Sequence, residues 1–340
     1  MKKLLFLAFF CVIAFASKAN IAMPGFFNVG TGAGFVPYFR EDAVHFGKIQ
    51  MKSEVITIQL YRGYAVVKGE YLMYNHNKQK INMKIGYPIN GTIYSNDFNA
   101  ISFQDLYEFT ASINGEKTKN FLFKTDTINE SHRPRHLKDI RKWYVWQASF
   151  EPEKITKVTV YFIVNTSQGF IRKGYDKGET DGFCYVLESG AAWKDKIEKG
   201  RIFVELKDNL SQKDILATFP NKIFKIQNQQ MIFDFKDLEP KPADNIIIRL
   251  NNTKNIDDEN FKKITKNVEK LFADIDAIDA ENITLKNATI IDANNTKIDT
   301  SINSLTSNFL TFLAVYGLPL FMVFIGVMVA FNAIFRKKSK

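Results

Sequence analysis

The pattern of apolar and polar positions changes three times along the chain. In the first regime, from Phe46 onward, Ile56, Ile58 and Leu60 alternate with Val55, Thr57, Gln59 and Tyr61. A turn at Arg62-Gly63 leads into residues 64–74, a polar loop follows at 75–79, and then Ile81, Met83 and Ile85 alternate with Asn82 and Lys84. Alternation over four to eight residues, broken by polar turns, predicts half-buried antiparallel strands. Asn114-Gly115, between residues 109–113 and 121–124, predicts a hairpin turn. Past a polar, basic stretch at 129–142, the period returns. Val158, Val160, Phe162 and Val164 share one face, as do Ile202, Val204 and Leu206, and then Ile246, Ile248 and Leu250. The expected fold is mainly β: two β-sandwich-like extracytoplasmic domains, at 43–142 and 143–250, with residues 20–42 as a Phe- and Gly-rich leader.

The second regime begins after Leu250, where the composition shifts to Asn, Asp, Lys, Thr and Ile. Asp257 or Asp258 can cap a helix. Phe261, Ile264, Val268, Leu271, Ile275 and Ile278 then recur at spacings of three and four, a heptad seam. Residues 251–308 therefore read as a helical stalk, with Asn282 at a register-setting position and an Asn- and Thr-rich stretch, 282–300, that favours helix weakly. Two readings of the seam stay open: a self-associating coiled coil, or an amphipathic helix folded back on the β body.

The third regime is an uninterrupted apolar run at residues 309–335, without a charge. About 20 apolar residues cross the ~30 Å of hydrocarbon, so this run is long enough for a transmembrane helix. Arg336, Lys337 and Lys338 follow it in a five-residue tail, which the positive-inside rule places in the cytoplasm. At the other end, Lys2 and Lys3 precede an apolar stretch, and Ser17-Lys18-Ala19 fits a signal-peptidase site between Ala19 and Asn20. The expected product is a single-pass protein of the cytoplasmic membrane, its body outside (periplasmic) and its C-terminus inside.

Charge reinforces this topology. The formal net charge is +10, but the two ends supply seven of those positive charges through Lys2, Lys3, Lys18, Arg336, Lys337, Lys338 and Lys340. The remainder is too nearly neutral for the electrostatic footprint of a nucleic-acid binder. Of the two cysteines, Cys11 lies in the leader and Cys184 sits in an apolar run, which predicts a buried free thiol.

Candidate chemistry is sparse. Asp176, Glu179 and Asp181 in a glycine-flanked loop are candidate calcium ligands, but their spacing is not that of an EF-hand, and glycine-flanked acids are more commonly solvated turns. His132 and His136 stand four apart, but Pro134 between them opposes a helix that would align them for zinc. Gly30-x-Gly32-x-Gly34 lacks the spacing of a dinucleotide fingerprint. No cofactor is expected, and Trp143, Trp146 and Trp193 read as packing anchors.

Four stretches carry a resemblance: Met51-Lys52-Ser53-Glu54-Val55-Ile56, Gly69-Glu70-Tyr71-Leu72-Met73-Tyr74-Asn75, Tyr185-Val186-Leu187-Glu188-Ser189-Gly190-Ala191-Ala192-Trp193, and Asp237-Leu238-Glu239-Pro240. Together they resemble a family of bacterial extracytoplasmic β-rich domains of unknown function. The second, with Gly86-Tyr87-Pro88-Ile89, is also similar to the opening hairpins of the β-sandwich shared by vault proteins and inter-alpha-trypsin inhibitor heavy chains. The resemblance implies a secreted β-sandwich and no catalytic residue.

The function expected is a membrane-anchored binding or assembly protein of the bacterial envelope, contacting another envelope protein or polymer, with self-association through the stalk as a further expectation. An envelope hydrolase of wall or surface glycans is the alternative, and an accessory subunit of an envelope sensor the second. A pair of acids about 5–10 Å apart in a cleft would favour the hydrolase.

Overall fold

A computed structural model describes residues 25–28, 34–37, 39–45, 47–89, 100–102, 106–124, 142–167, 170–172, 182–185, 187, 190, 193–240, 244–251 and 256–293. All of them belong to one compact unit; the second unit of the chain lies outside the described residues. So do the signal segment with Ala19 and Asn20, the apolar run at 309–335, and Arg336, Lys337 and Lys338. Among the described residues, no helix is long and apolar enough to cross a membrane.

The described structure is mainly β. Within the leader, β1 (Gly25–Asn28) and β2 (Gly34–Pro37) pair as an antiparallel ribbon. The central elements are β3 (Ile49–Tyr61), β4 (Tyr64–Asn75), β5 (Ile81–Ile89), β6 (Ala100–Ser102), β7 (Leu106–Ile113), β8 (Glu116–Lys117) and β9 (Phe121–Lys124). After these come β10 (Lys142–Phe150), β11 (Ile155–Asn165), β12 (Phe170–Arg172), β13 (Gly182–Tyr185), β14 (Ile197–Leu206), β15 (Ile215–Phe219), β16 (Lys225–Gln227), β17 (Gln230–Leu238) and β18 (Ile246–Leu250). Two short helices, α1 (Asp258–Thr265) and α2 (Val268–Asp276), precede the last strand, β19 (Thr289–Ile290).

Nine strands form one mixed sheet in the order β19-β16-β17-β14-β3-β4-β11-β7-β8. Its inner face holds the alternating set expected from the sequence: Ile56, Ile58 and Leu60 on β3, Val158, Val160, Phe162 and Val164 on β11, and Ile202, Val204 and Leu206 on β14. These side chains meet Ile81, Met83 and Ile85 of the β5-β10-β9 sheet and Ile246, Ile248 and Leu250 of the β13-β18-β15 sheet in one core. The architecture is thus a large sheet packed against two three-stranded ones.

This changes the domain picture. The expected boundary at 142/143 separates no sheets, because β3 pairs in parallel with β14, Ser53 to Lys199 through Leu60 to Leu206. Period-two alternation reports which face a residue occupies, and it carries no information about which distant strand will be its neighbour. The Asn114-Gly115 turn forms as expected, both residues at positive φ (50° and 88°), a combination that the tight hairpin turn requires. It joins β7 to β8, however, while β9 crosses to pair with β10.

Two glycines beside β3 allow aromatic rings to lie over the sheet. A Cβ on Gly200 would meet the Phe235 ring at 1.9 Å, and one on Gly69 would meet the Tyr71 hydroxyl at 2.5 Å. The space at Gly69 lets Tyr71 reach Tyr185 across the core, hydroxyl to hydroxyl at 3.0 Å. Tyr185 in turn donates to Oε1 of the fully buried Glu54.

The stalk expectation is corrected on two counts. The seam spans two short helices, broken at Lys266-Asn267, in place of one rod. Its residues are also already covered by the sheet's outer face. Phe261 and Ile275 are buried, and Ile264, Val268, Leu271 and Ile278 pack half-buried with them, against Tyr61, Tyr64, Val66, Tyr107, Tyr161 and Ile163. Asp257 caps α1, accepting from the Asn260 amide at 2.8 Å. Beyond α2, residues 277–291 run as turns and a short strand, and Asn282 is exposed, donating to Asp279. A spacing of three and four satisfies any apolar partner equally, and here that partner is the chain's own sheet.

Candidate functional site

The outer face of the large sheet carries two aligned rows of polar side chains. Thr57, Lys68, Tyr161 and Thr110 are cross-strand neighbours on β3, β4, β11 and β7; Glu70, Thr159 and Ser112 form the next row. Because successive residues of a strand face opposite sides, these are the positions left over when Val67, Tyr71, Val160 and Phe162 enter the core. The C-terminal end of α2 and the turn after it lie along this face and divide it. On one side is a groove of about 340 Å³ bounded by Ser53, Leu72 and Ile278; on the other is one of about 390 Å³ bounded by Thr110, Ser112 and Lys117. Lys68, Glu70, Lys157 and Asp276 border both.

A connected set of charges joins these walls. Lys68 Nζ contacts Asp276 Oδ1 at 2.8 Å and Glu70 Oε2 at 3.2 Å, while Lys157 Nζ contacts Glu70 Oε1 at 2.6 Å. Tyr161 donates its hydroxyl to Asp276 Oδ1 at 2.8 Å. The Lys68 side chain is only 8% exposed. Burial works against its charge, but the hydrogen bond it donates to Asp276 and the nearby Glu70 outweigh it and hold the ammonium above its usual range. Asp276 is held below the usual carboxylate range, chiefly by Lys68, with burial opposing and Tyr161 adding to the effect. Burial, with Asp276 alongside, pushes the Tyr161 phenol well up.

Further along, the same acidic segment is fastened at two more points. Arg201 on β14 donates to the carbonyls of Ala280 (3.1 Å), Glu281 (2.7 Å) and Ile283 (2.8 Å) while its guanidinium is held by Asp234. Lys199 pairs with Glu281 at 2.8 Å, and Asn221 and Lys222 hold Asp292. Ala280, Ile283 and Leu285 pack there on Phe203 and Ile232.

None of these charged residues follows from a motif. Lys68 and Glu70 were nonetheless visible as the only charges inside the apolar strand from Tyr64 to Asn75. Of the expected positions, the seam residues gather on this face. Asp176, Glu179 and Asp181 lie outside the described residues, as do His132 and His136. Among the described residues, no group of three His, Cys, Asp or Glu is placed to hold a metal ion. Cys184 is a buried cysteine in no disulfide, and Trp143, Trp146 and Trp193 are core residues, as their surroundings in the sequence predict.

No protein-family model matches the sequence, and no curated protein matches it. Among solved structures, the chain is similar to a protein of Legionella pneumophila subsp. pneumophila str. Philadelphia 1 described as a "putative nutrient binding protein". Identity is 15% and the TM-score 0.44, over 70% of this chain and 76% of that one. It is also similar to yeast LTA4 hydrolase with bestatin (12%, TM-score 0.30, 59% of this chain and 28% of that) and in its native form (11%, TM-score 0.30, 59% and 29%). The chain spans less than a third of the yeast enzyme's length. At these identities and scores the likenesses assign no activity.

Proposed function

We propose that the protein is a binding or assembly module of the bacterial envelope, its β body outside the cytoplasmic membrane and residues 309–335 its anchor. The charge asymmetry around that apolar run and the leader at 1–19 support the topology. The observation that carries the binding role is the polar trough on the sheet's outer face. A rigid four-strand platform there offers ammonium, hydroxyl and carboxylate groups in register, with open grooves on both sides of Asp276. Preorganised polar groups on strands give orientation to a partner at little ordering cost.

The test is photo-crosslinking in the native envelope from probes placed at Ser112 and Thr159, with a probe at the distant Lys213 as control. A discrete envelope adduct from the trough positions alone is expected. Adducts from Lys213 alone, or none from the trough, would remove this reading. Protease added to intact spheroplasts should digest the body; a protected body would overturn the topology.

A further inference from the structure

The segment that covers the outer face is acidic, and the face beneath it is basic. Residues 274–281 read Asp-Ile-Asp-Ala-Ile-Asp-Ala-Glu. Its carboxylates and carbonyls land on Lys68, Tyr161, Lys199 and Arg201, which sit on three different strands of the sheet, β4, β11 and β14. The apolar residues between the acids, Ile275 and Ile278, fill the remaining contacts. Every donor belongs to the rigid sheet, and every displaceable group to a short segment whose helices have eight and nine residues. Helices of that length are marginal without docking, so the segment opens more easily than the sheet beneath it.

We propose that this basic face is a docking surface for an acidic polypeptide segment of a partner, and that residues 274–281 occupy it as an intramolecular competitor. Asp276 stands in for the partner's carboxylate: Lys68 and Tyr161 would receive that group, and Lys199 and Arg201 the acid and backbone following it. A polypeptide is the occupant argued for because the groups already seated are a peptide's own carboxylates and carbonyls, with apolar side chains between them. The proposal rests on the trough being the binding surface, and names what that surface takes.

The test uses the full chain in nonionic detergent and fluorescein-labelled poly-L-glutamate as probe, read by anisotropy. The double variant Asp276→Asn, Glu281→Gln removes the two competitor charges that meet Lys68 and Lys199 while keeping its shape. It should bind the probe about tenfold more tightly than the unaltered chain, since a tethered competitor acts at a high effective concentration. Adding Lys68→Met should abolish that gain, and raising salt should weaken binding throughout. Equal affinity with and without the competitor's acids overturns the proposal, as does indifference to Lys68→Met. Polygalacturonate binding more tightly than poly-L-glutamate overturns the choice of a polypeptide.

A second measurement needs no variant. Saturating probe should accelerate hydrogen exchange of α2 amides in the unaltered chain; unchanged exchange there counts against displacement. Crosslinks from Ser112 and Thr159 that persist while these outcomes fail would sink the competitor idea alone. Their absence would sink the binding role itself.

Discussion

Replacing Phe261 by alanine distinguishes a segment docked on its own sheet from a subunit interface. Phe261 is 3% exposed, and its ring lies 4.5 Å from that of Tyr107 at a steep angle. Removing a buried ring of this kind loses about 1.5–3 kcal/mol of transfer energy. The edge contact adds about 0.5–1.5 kcal/mol, and a cavity term brings typical Phe→Ala losses to about 3–5 kcal/mol. The site borders the surface and can partly collapse, so the lower end applies. About 3 kcal/mol corresponds to an opening roughly 100-fold more frequent, since each 1.4 kcal/mol is a factor of ten. The loss should stay local, because α1 has only eight residues and little helical stability apart from its docking. Native-state hydrogen exchange should therefore show α1 amides exchanging about two orders of magnitude faster, with β3 and β11 amides unchanged. Light scattering on the same sample should give an unchanged mass. Unaltered protection in α1 would refute the docking argument, and a halved mass would make the seam an interface between copies.

Three further outcomes follow from individual contacts. Gly200→Ala drives a methyl into the Phe235 ring and should cost about 1–3 kcal/mol in urea unfolding. Phe235→Leu should recover part of that loss, and an unchanged midpoint in the single variant would contradict the packing described. Tyr185→Phe removes the hydroxyl that donates to the buried Glu54 and should cost about 1–3 kcal/mol with the same denaturant slope; a neutral result would mean that this bond contributes nothing. Asp276 has a folded-state pKa below its ordinary 3.8, so its stabilisation is present above that value and lost as pH falls through the lower, folded one. The unaltered chain should exceed Asp276→Asn in stability at neutral pH by under about 1 kcal/mol, given how exposed the carboxylate is. That difference should vanish in strong acid, and a gap that persisted or widened there would reverse the assignment.

Strand identity and facing were legible in the sequence because a strand's two faces alternate residue by residue. Ile56, Ile58 and Leu60 had to share a face whatever lay beside them. The Asn114-Gly115 turn, the Asp257 cap and the buried, unbridged Cys184 follow from local chemistry in the same way. The parallel pairing of β3 with β14 was not legible, since a register that sets Ser53 beside Lys199 leaves no mark in either strand's composition. No sheet boundary falls at 142/143 because that pairing, and those of β10 with β5 and of β11 with β4, cross it. The Phe261–Ile278 stripe residues pack in one cluster, but the sequence leaves their partner undetermined, because Leu and Ile bury against a sheet as readily as against a second helix. The trough belongs wholly to tertiary structure: Lys68, Lys157, Tyr161 and Asp276 become one site only when register aligns β4 with β11 and α2 folds back across them.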